Sequence, residues 1–336
     1  MTELLKNLCN IDGTSGDETA VRDFVISQID GYCEWKIDAL GNIIVFKKGK
    51  KTPVKKVMLD AHTDEVGLII TGITSDGFLK FKVIGGIDTA ALLFKKVKIN
   101  GNLNGVISGK PIHLLGKSES EKLPDKDILY IDIGASSKEE AKSYVNLGDR
   151  AVICGEYQSV GGKVISKALD DRTGCAMLIK LIKEYDEYDF HASFSVQEEL
   201  GLRGAKTAAF TINPDCAIVL ESTTAADIAD VPNEKTVCTL GKGPAVSFMD
   251  GATVYDRKFY NAALESCVLC QPKRAVAGGN NSGTIHLSRE GVRTIAISVP
   301  CRYIHTASSV ADVNDIENAY KLALYMLNGI CSGEIE

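Results

Sequence analysis

Five segments of the chain end an apolar run with histidine or carboxylate. His62 and Asp64 follow the run in MLDAHTDEVGL, and Asp170 and Asp171 stand in KALDDRTG. Glu198 and Glu199 follow HASFSV, Glu221 follows CAIVL, and His305 closes CRYIH. Two imidazoles with several carboxylates form a donor set that divalent zinc, cobalt or manganese accepts. Two such ions, about 3.5–4 Å apart, need one shared carboxylate and further ligands for each. Asp170 can be the bridge, while His62 with one acidic residue and His305 with another can complete the two positions. Glu199 and Glu221 then fill the terminal places. Glu198 is left over, and an activated water needs a carboxylate beside it to take its proton. Asp64, two residues past His62, could orient that ring, a usual partnership for a ligating histidine. Glu65 has no derivable role.

Each residue alone has a plainer explanation. A Glu-Glu pair usually sits in a solvated loop, and Asp170 with Asp171 could simply cap the helix that follows. His62 by itself would pass for a satisfied core histidine. The combination resists this treatment, because each plain explanation must hold independently at each strand end. His113, His191 and His286 have no acidic company of this kind and read as structural.

The elements that must position these groups follow from hydrophobic periodicity. TELLKNLCNI and TAVRDFVISQIDGY read as helices, joined by DGTSGDE, a loop with capping residues. NIIVFKKG and KKVMLDAH read as strands, the second a central one. From Leu68 to Glu156 the texture changes to short strand-like runs separated by Gly, Asn and Asp turns, with one convincing helix around SSKEEAKSYV. That describes a small β-rich barrel or sandwich. Strands and helices then alternate again through GCAMLIKLIKEY, FHASFSVQEE, RGAKTAAFTI, CAIVLES and RTIAISVP to the closing helix DIENAYKLALYMLNGI. The rhythm predicts an α/β fold with a mixed or mostly parallel sheet. Its parts are a catalytic α/β domain, 1–67 and 157–336, with a β-rich domain at 68–156 inserted into it. In open α/β sheets ligands gather beyond the carboxyl ends of the strands, where the five segments deliver their polar groups. Adjacent residues on a regular strand point to opposite faces, so Glu198 and Glu199 can both reach the site only where their strand has ended.

Composition excludes other classes. At 336 residues, 45% hydrophobic and 24% charged, the chain has the balance of a globular protein. Its net charge of -6 argues against nucleic-acid binding, which leaves a basic footprint. No apolar run approaches the roughly 18 residues that cross a bilayer, and the N-terminus lacks the pattern of a secretory signal. A cytoplasmic location is expected. The ten cysteines are scattered and read as buried small hydrophobes. The single Cys-x-x-Cys, Cys267 to Cys270, lacks the second pair a zinc site would use.

DAHTDEVG, ALDDRTG, VQEELGLRGA and GVRTIAISVPCRYIHT occur in order, and in them the chain closely resembles the M42 family of dinuclear metallo-aminopeptidases. The resemblance implies His62, Asp170, Glu199, Glu221 and His305 as metal ligands with Asp170 bridging, and Glu198 as general base. It implies a non-proline cis bond between Asp170 and Asp171. It also implies a phosphorylase/hydrolase-like α/β domain with a PDZ-like insert used in assembly, and dimers that build a dodecamer. The activity implied is removal of N-terminal residues from short peptides with two divalent ions, zinc first and cobalt or manganese also compatible. Two readings compete: a related co-catalytic deacylase or carboxypeptidase, and a non-catalytic, metal-stabilised assembly protein. Departures from the family pattern are Glu221 in place of the usual aspartate, Asn281 for the aspartate of a Gly-Thr-Asp-Ala-Gly segment, Cys301 for a common arginine, and Thr63 for a frequent methionine. Asn281 is expected to remove a charge near the site. Arg257, Lys258 and Arg302 are the basic residues that would favour an acidic substrate if they lined the pocket.

Overall fold

A computed structural model describes residues 1–116, 122–276 and 278–336. Helices Thr2–Asn10 and Thr19–Ile29 lead into strands β1 (Glu34–Ile37), β2 (Ile43–Lys47) and β3 (Val57–His62). Then come β4 (Gly67–Ile73), β5 (Leu79–Ile84), β6 (Lys96–Ile99), β7 (Leu103–Ile107), β8 (Tyr130–Asp132) and β9 (Arg150–Ile153). The chain returns through β10 (Gln158–Val160), β11 (Lys163–Ser166), the helix Leu169–Glu184, β12 (Phe190–Ser195), the helix Arg203–Ile212 and β13 (Cys216–Thr224). It ends with the short strands β14 (Ala245–Val246) and β15 (Gln271–Pro272), β16 (Arg293–Arg302), β17 (Ser309–Asp312) and the helix Val313–Ser332.

One mixed sheet runs β1-β2-β12-β3-β13-β16-β17-β11-β10, with β14 pairing β16 and β15. Its centre is parallel. Ser195 registers with His62 across β12 and β3, and Glu221 with Ser298 across β13 and β16. The flanking pairs are antiparallel. Being buried on both faces, the central strands are near-continuous apolar runs. On one face Val57, Leu59 and Ala61 of β3 join the core beneath the helix Leu169–Glu184. On the other, Met58 packs with Ala217, Val219 and the alanines of the helix Arg203–Ile212. The helix Leu169–Glu184 buries residues around most of its circumference, as expected of a helix sandwiched between layers.

Strands β4-β5-β8-β7-β6-β9 close into a six-stranded barrel. In β5, Leu79 and Phe81 are buried while Lys80 and Lys82 face solvent, the period of two that gives a strand one wet face. Among the described residues no helix is long and apolar enough to cross a membrane. Two expectations, one about a strand limit and one about a helix cap, need adjustment. Glu221 lies inside β13, which continues to Thr224 because Ser222 to Thr224 still pair with Val299 to Cys301. The loop DGTSGDE does not cap the helix after it: Glu18 makes no side-chain bond to that helix, because its carboxylate is used elsewhere.

Candidate active site and metal centre

The parallel strands bring their carboxyl ends to one edge, and the polar groups meet there. His62 is the last residue of β3, Glu198 and Glu199 follow the end of β12, and His305 follows β16. Asp170 enters from the head of the helix Leu169–Glu184, whose first turn is interrupted at Asp170 and Asp171. The peptide bond between these two is cis. Asp171 caps its helix by accepting from the Gly174 amide at 3.0 Å. A Cβ at Gly174 would collide with that carboxylate, so glycine is required there. Asp170 does not cap. Its Oδ1 lies 3.3 Å from His62 Nε2 and its Oδ2 lies 3.2 Å from His305 Nε2.

Two groups of possible ligands share this aspartate. His62, Asp170 and Glu221 form one, and Asp170, Glu199 and His305 the other, with ligand atoms within 4.8 Å of one another in each. Glu221 Oε2 is 3.8 Å from His62 Nε2, and Glu199 Oε1 is 3.2 Å from His305 Nε2. The outer nitrogens are also engaged. His62 Nδ1 faces the Asp64 carbonyl at 3.1 Å and its carboxylate at 3.4 Å. His305 Nδ1 faces the carbonyl of Gly86, in the loop after β5, at 2.8 Å. Such contacts fix ring orientation and raise ligand basicity. Asp64 also accepts from the Ser15 hydroxyl at 2.6 Å and from the amides of Glu198 and Glu199 at 2.9 and 3.1 Å. The strand ends at Ser195, and Gln197, at φ 54, turns the chain so that the Glu-Glu pair leaves the sheet.

The electrostatics fit cations. Asp170, Glu198, Glu199 and Glu221 carry four carboxylates in one pocket, and two divalent ions would bring four opposite charges. Burial pushes Glu198 up to about 8 and Glu221 well above the usual carboxylate range. His305 rises to about 11 although burial alone would lower it, because hydrogen bonds that it donates to Asp170 and Glu199 hold its proton. Without cations the pocket takes up protons instead. Glu221 Oε1 is buried with no hydrogen-bond partner, a costly arrangement that a ligated cation removes.

Residues 41–322 match the M42 glutamyl aminopeptidase family. The chain belongs to the M42 family. Membership makes it a metal-dependent aminopeptidase, a hydrolase acting on peptide bonds. A curated aminopeptidase of Acetivibrio thermocellus, its assignment putative by name, is 40% identical over 338 residues, 98% of each chain. Among solved structures, an aminopeptidase from the archaeon Desulfurococcus kamchatkensis superposes with a TM-score of 0.90 at 36% identity, covering 96% of this chain and 92% of its own. The Pyrococcus horikoshii TET1 peptidase, which assembles into a tetrahedron or a large octahedral shell, gives 0.84 at 34% identity, covering 97% and 98%.

In this M42 protein the departures acquire locations. Asn281 is fully buried, and its Nδ2 donates to Asp60 Oδ2 at 2.7 Å and to Ser195 Oγ at 2.8 Å. The carboxylate missing at 281 has a neighbour at 60, which Ser193 also contacts. Burial raises Asp60 to about 6 against these hydrogen bonds. Restoring an acid, Asn281→Asp, is expected to place two carboxylates in contact, so that the folded protein must keep a proton between them. Holding a carboxyl two to three pKa units high costs about 3–4 kcal/mol at neutral pH. The unfolded chain releases that proton near pH 4, so the penalty is absent below that pH and grows as pH rises toward the folded pKa. Urea unfolding at pH 5 and pH 8 checks this; unchanged stability at pH 8 would refute it.

Arg302 is held by Asp227 through two bonds of 2.8 and 2.9 Å, and Arg257 and Lys258 are exposed at the start of the helix Arg257–Glu265. Glu65 accepts from Lys167 at 2.6 Å and from the Gly13 amide at 3.1 Å, which ties the loop before the second helix to the turn after β3. His191 stacks on Phe46 and His286 bonds within its own turn, both away from the ligand groups. Sequence reasoning missed the Gly86 carbonyl, which carries no side-chain signal, and Glu18, considered below.

Proposed function

We propose that this metal-dependent aminopeptidase removes N-terminal residues from short peptides with two divalent ions. In this reading His62 and Glu221 hold one ion, Glu199 and His305 the other, and Asp170 bridges. The observation that carries it is the placement of the two Asp170 oxygens, 3.3 and 3.2 Å from two different imidazoles. Zinc suits this set of nitrogen and oxygen donors, and cobalt or manganese are compatible. When bound, the two ions lower the pKa of a water and polarise the scissile carbonyl. Glu198 takes the proton from the attacking water and returns it to the leaving amine. Asp64 steadies His62 on one side and the amides of Glu198 and Glu199 on the other, so ligand and base share a support.

The barrel supplies the Gly86 carbonyl to His305, which supports reading residues 68–156 as an inserted, PDZ-like domain that both shapes the cleft and serves assembly. Likeness to the TET1 peptidase, which forms a dodecamer or a larger shell, supports homo-oligomers, which we read as dimers building a dodecamer. All ten cysteines are free, which supports a reducing, cytoplasmic setting.

The test is activity of chelator-stripped protein on short peptides, free or N-acetylated, with zinc, cobalt or manganese restored. The stripped protein is expected to be inactive, and two ions per chain are expected to restore cleavage of the free-amine peptides alone. Cleavage of acetylated peptides would favour a deacylase, and two bound ions without turnover would favour an assembly protein.

A further inference from the structure

One buried carboxylate at the site has no part in the mechanism above. Glu18 is 6% exposed and immediately precedes the helix Thr19–Ile29. Its Oε1 accepts from the Gly16 amide at 2.7 Å and, 179 residues along the chain, from the Gln197 amide at 3.1 Å. The next two amides, of Glu198 and Glu199, go to the two oxygens of Asp64. Three consecutive N–H groups are therefore held by two carboxylates, and Ser15 joins them through its hydroxyl on Asp64. Gln197 is in the left-handed region at φ 54, an uncommon conformation for a residue with a side chain. Such a residue persists when its surroundings determine it, and the bond to Glu18 is the side-chain contact on its amide.

From this arrangement we propose that Glu18 is a positioning residue, which holds the Gln197 peptide in its left-handed turn and so aims Glu198 into the cleft. The proposal rests on the reading of Glu198 as base. Asp64 grips the amides beyond the turn, and the Arg203 amide holds the Gln197 carbonyl at 3.2 Å, but the Gln197 amide itself is held by Glu18. Without the Glu18 acceptor the Gln197 peptide relaxes and the Glu198 carboxylate shifts, and a 1 Å misplacement costs on the order of 10²-fold in rate. The N-terminal loop Gly13 to Glu18 thereby acts as a brace for the base from outside the α/β core. Burial raises the Glu18 carboxyl to about 7 despite its two amides.

Three variants test this: Glu18→Ala, Glu18→Gln, which keeps an oxygen acceptor of the same length, and Asp17→Ala on the exposed neighbour. Hydrogen exchange of peptides spanning 196–204 is measured in metal-free protein, and kcat, KM and metal content in loaded protein. Glu18→Ala is expected to speed exchange at 197–199 and to lower kcat about 10- to 100-fold, with KM within about twofold and two ions retained. Glu18→Gln restores kcat to within about threefold, and Asp17→Ala matches the parent. Should Glu18→Ala fail to fold, Glu18→Asp, which withdraws the acceptor by one methylene, is expected to show the same loss. Unchanged exchange with kcat within about twofold of the parent would overturn the proposal, as would a Glu18→Gln variant damaged as badly as the alanine one. The exchange measurement reads the brace without turnover. It therefore separates a failure of the brace from a failure of Glu198 as base, which the glutamine variant of Glu198 reports independently.

Discussion

Glu198→Gln is expected to lower kcat by about 10²–10⁴-fold, the share a positioned general base contributes, while two ions still bind. Glutamine preserves size and leaves the backbone amide with its Asp64 acceptor, so the geometry of the loop survives. What disappears is the basic oxygen. Glu199 cannot replace it, since its carboxylate is turned to His305 at 3.2 Å, and Asp64 is fully buried beneath the loop with its oxygens occupied. Activity of the parent falls as pH drops through the pKa of Glu198, because a protonated carboxyl cannot take the proton of the attacking water; the variant loses this acid limb. Metal analysis beside steady-state rates on one free-amine peptide decides the matter. Turnover within tenfold of the parent at full metal content would remove Glu198 from the base role.

The clustering of the candidate ligands was legible in the sequence because the fold class and the residue types constrain each other. Parallel central strands are apolar runs of obvious length, and a histidine or carboxylate directly after such a run has few places to go except the strand-end crevice. His62, Glu199 and His305 follow this logic, and Asp170 follows it once its helix is placed. Glu221 was legible by type, though its strand runs three residues past it to Thr224. The edges of the sheet were less legible. Strand β1 is exposed at all four residues, and β10 at all three, so neither shows the burial alternation that marks a strand. Their pairing comes from neighbours such as Ile37 with Ile43 and Val160 with Lys163.

Second contacts were legible only in part. Asp64 could be anticipated from its spacing to His62. Glu18 could not, since its partner Gln197 is remote in sequence and offers only a backbone amide. Asn281 shows another limit. The motif suggested a charge lost near the site, and the side chain meets that neighbourhood through Asp60 and Ser195, which the motif does not contain. A motif carries the order of residues along the chain but not the neighbour across it, and Asp60 is that neighbour.

Asp170→Ala is expected to abolish binding of both ions together and to lower kcat/KM by at least about 10²–10³-fold, the scale for losing one preorganised electrostatic contact. A terminal ligand such as Glu221 touches one position, whereas Asp170 faces both imidazoles. The variant therefore distinguishes a shared site from two independent ones: metal titration should fall from two ions to none, not from two to one. The same aspartate sets the pH dependence of loading. In metal-free protein Asp170 and Glu199 keep His305 protonated up to about 11, and a ligating imidazole must be neutral. Uptake near pH 7 must then expel that proton, so apparent affinity weakens as pH falls, by about tenfold per pH unit for each proton displaced. Calorimetry in buffers of different ionisation heat counts the protons. The alanine variant removes one of the two hydrogen bonds that raise His305, leaving the one to Glu199, and is expected to lower its titration, readable by imidazole NMR. Retention of one tightly bound ion with an unshifted His305 would show that the two positions do not share this carboxylate.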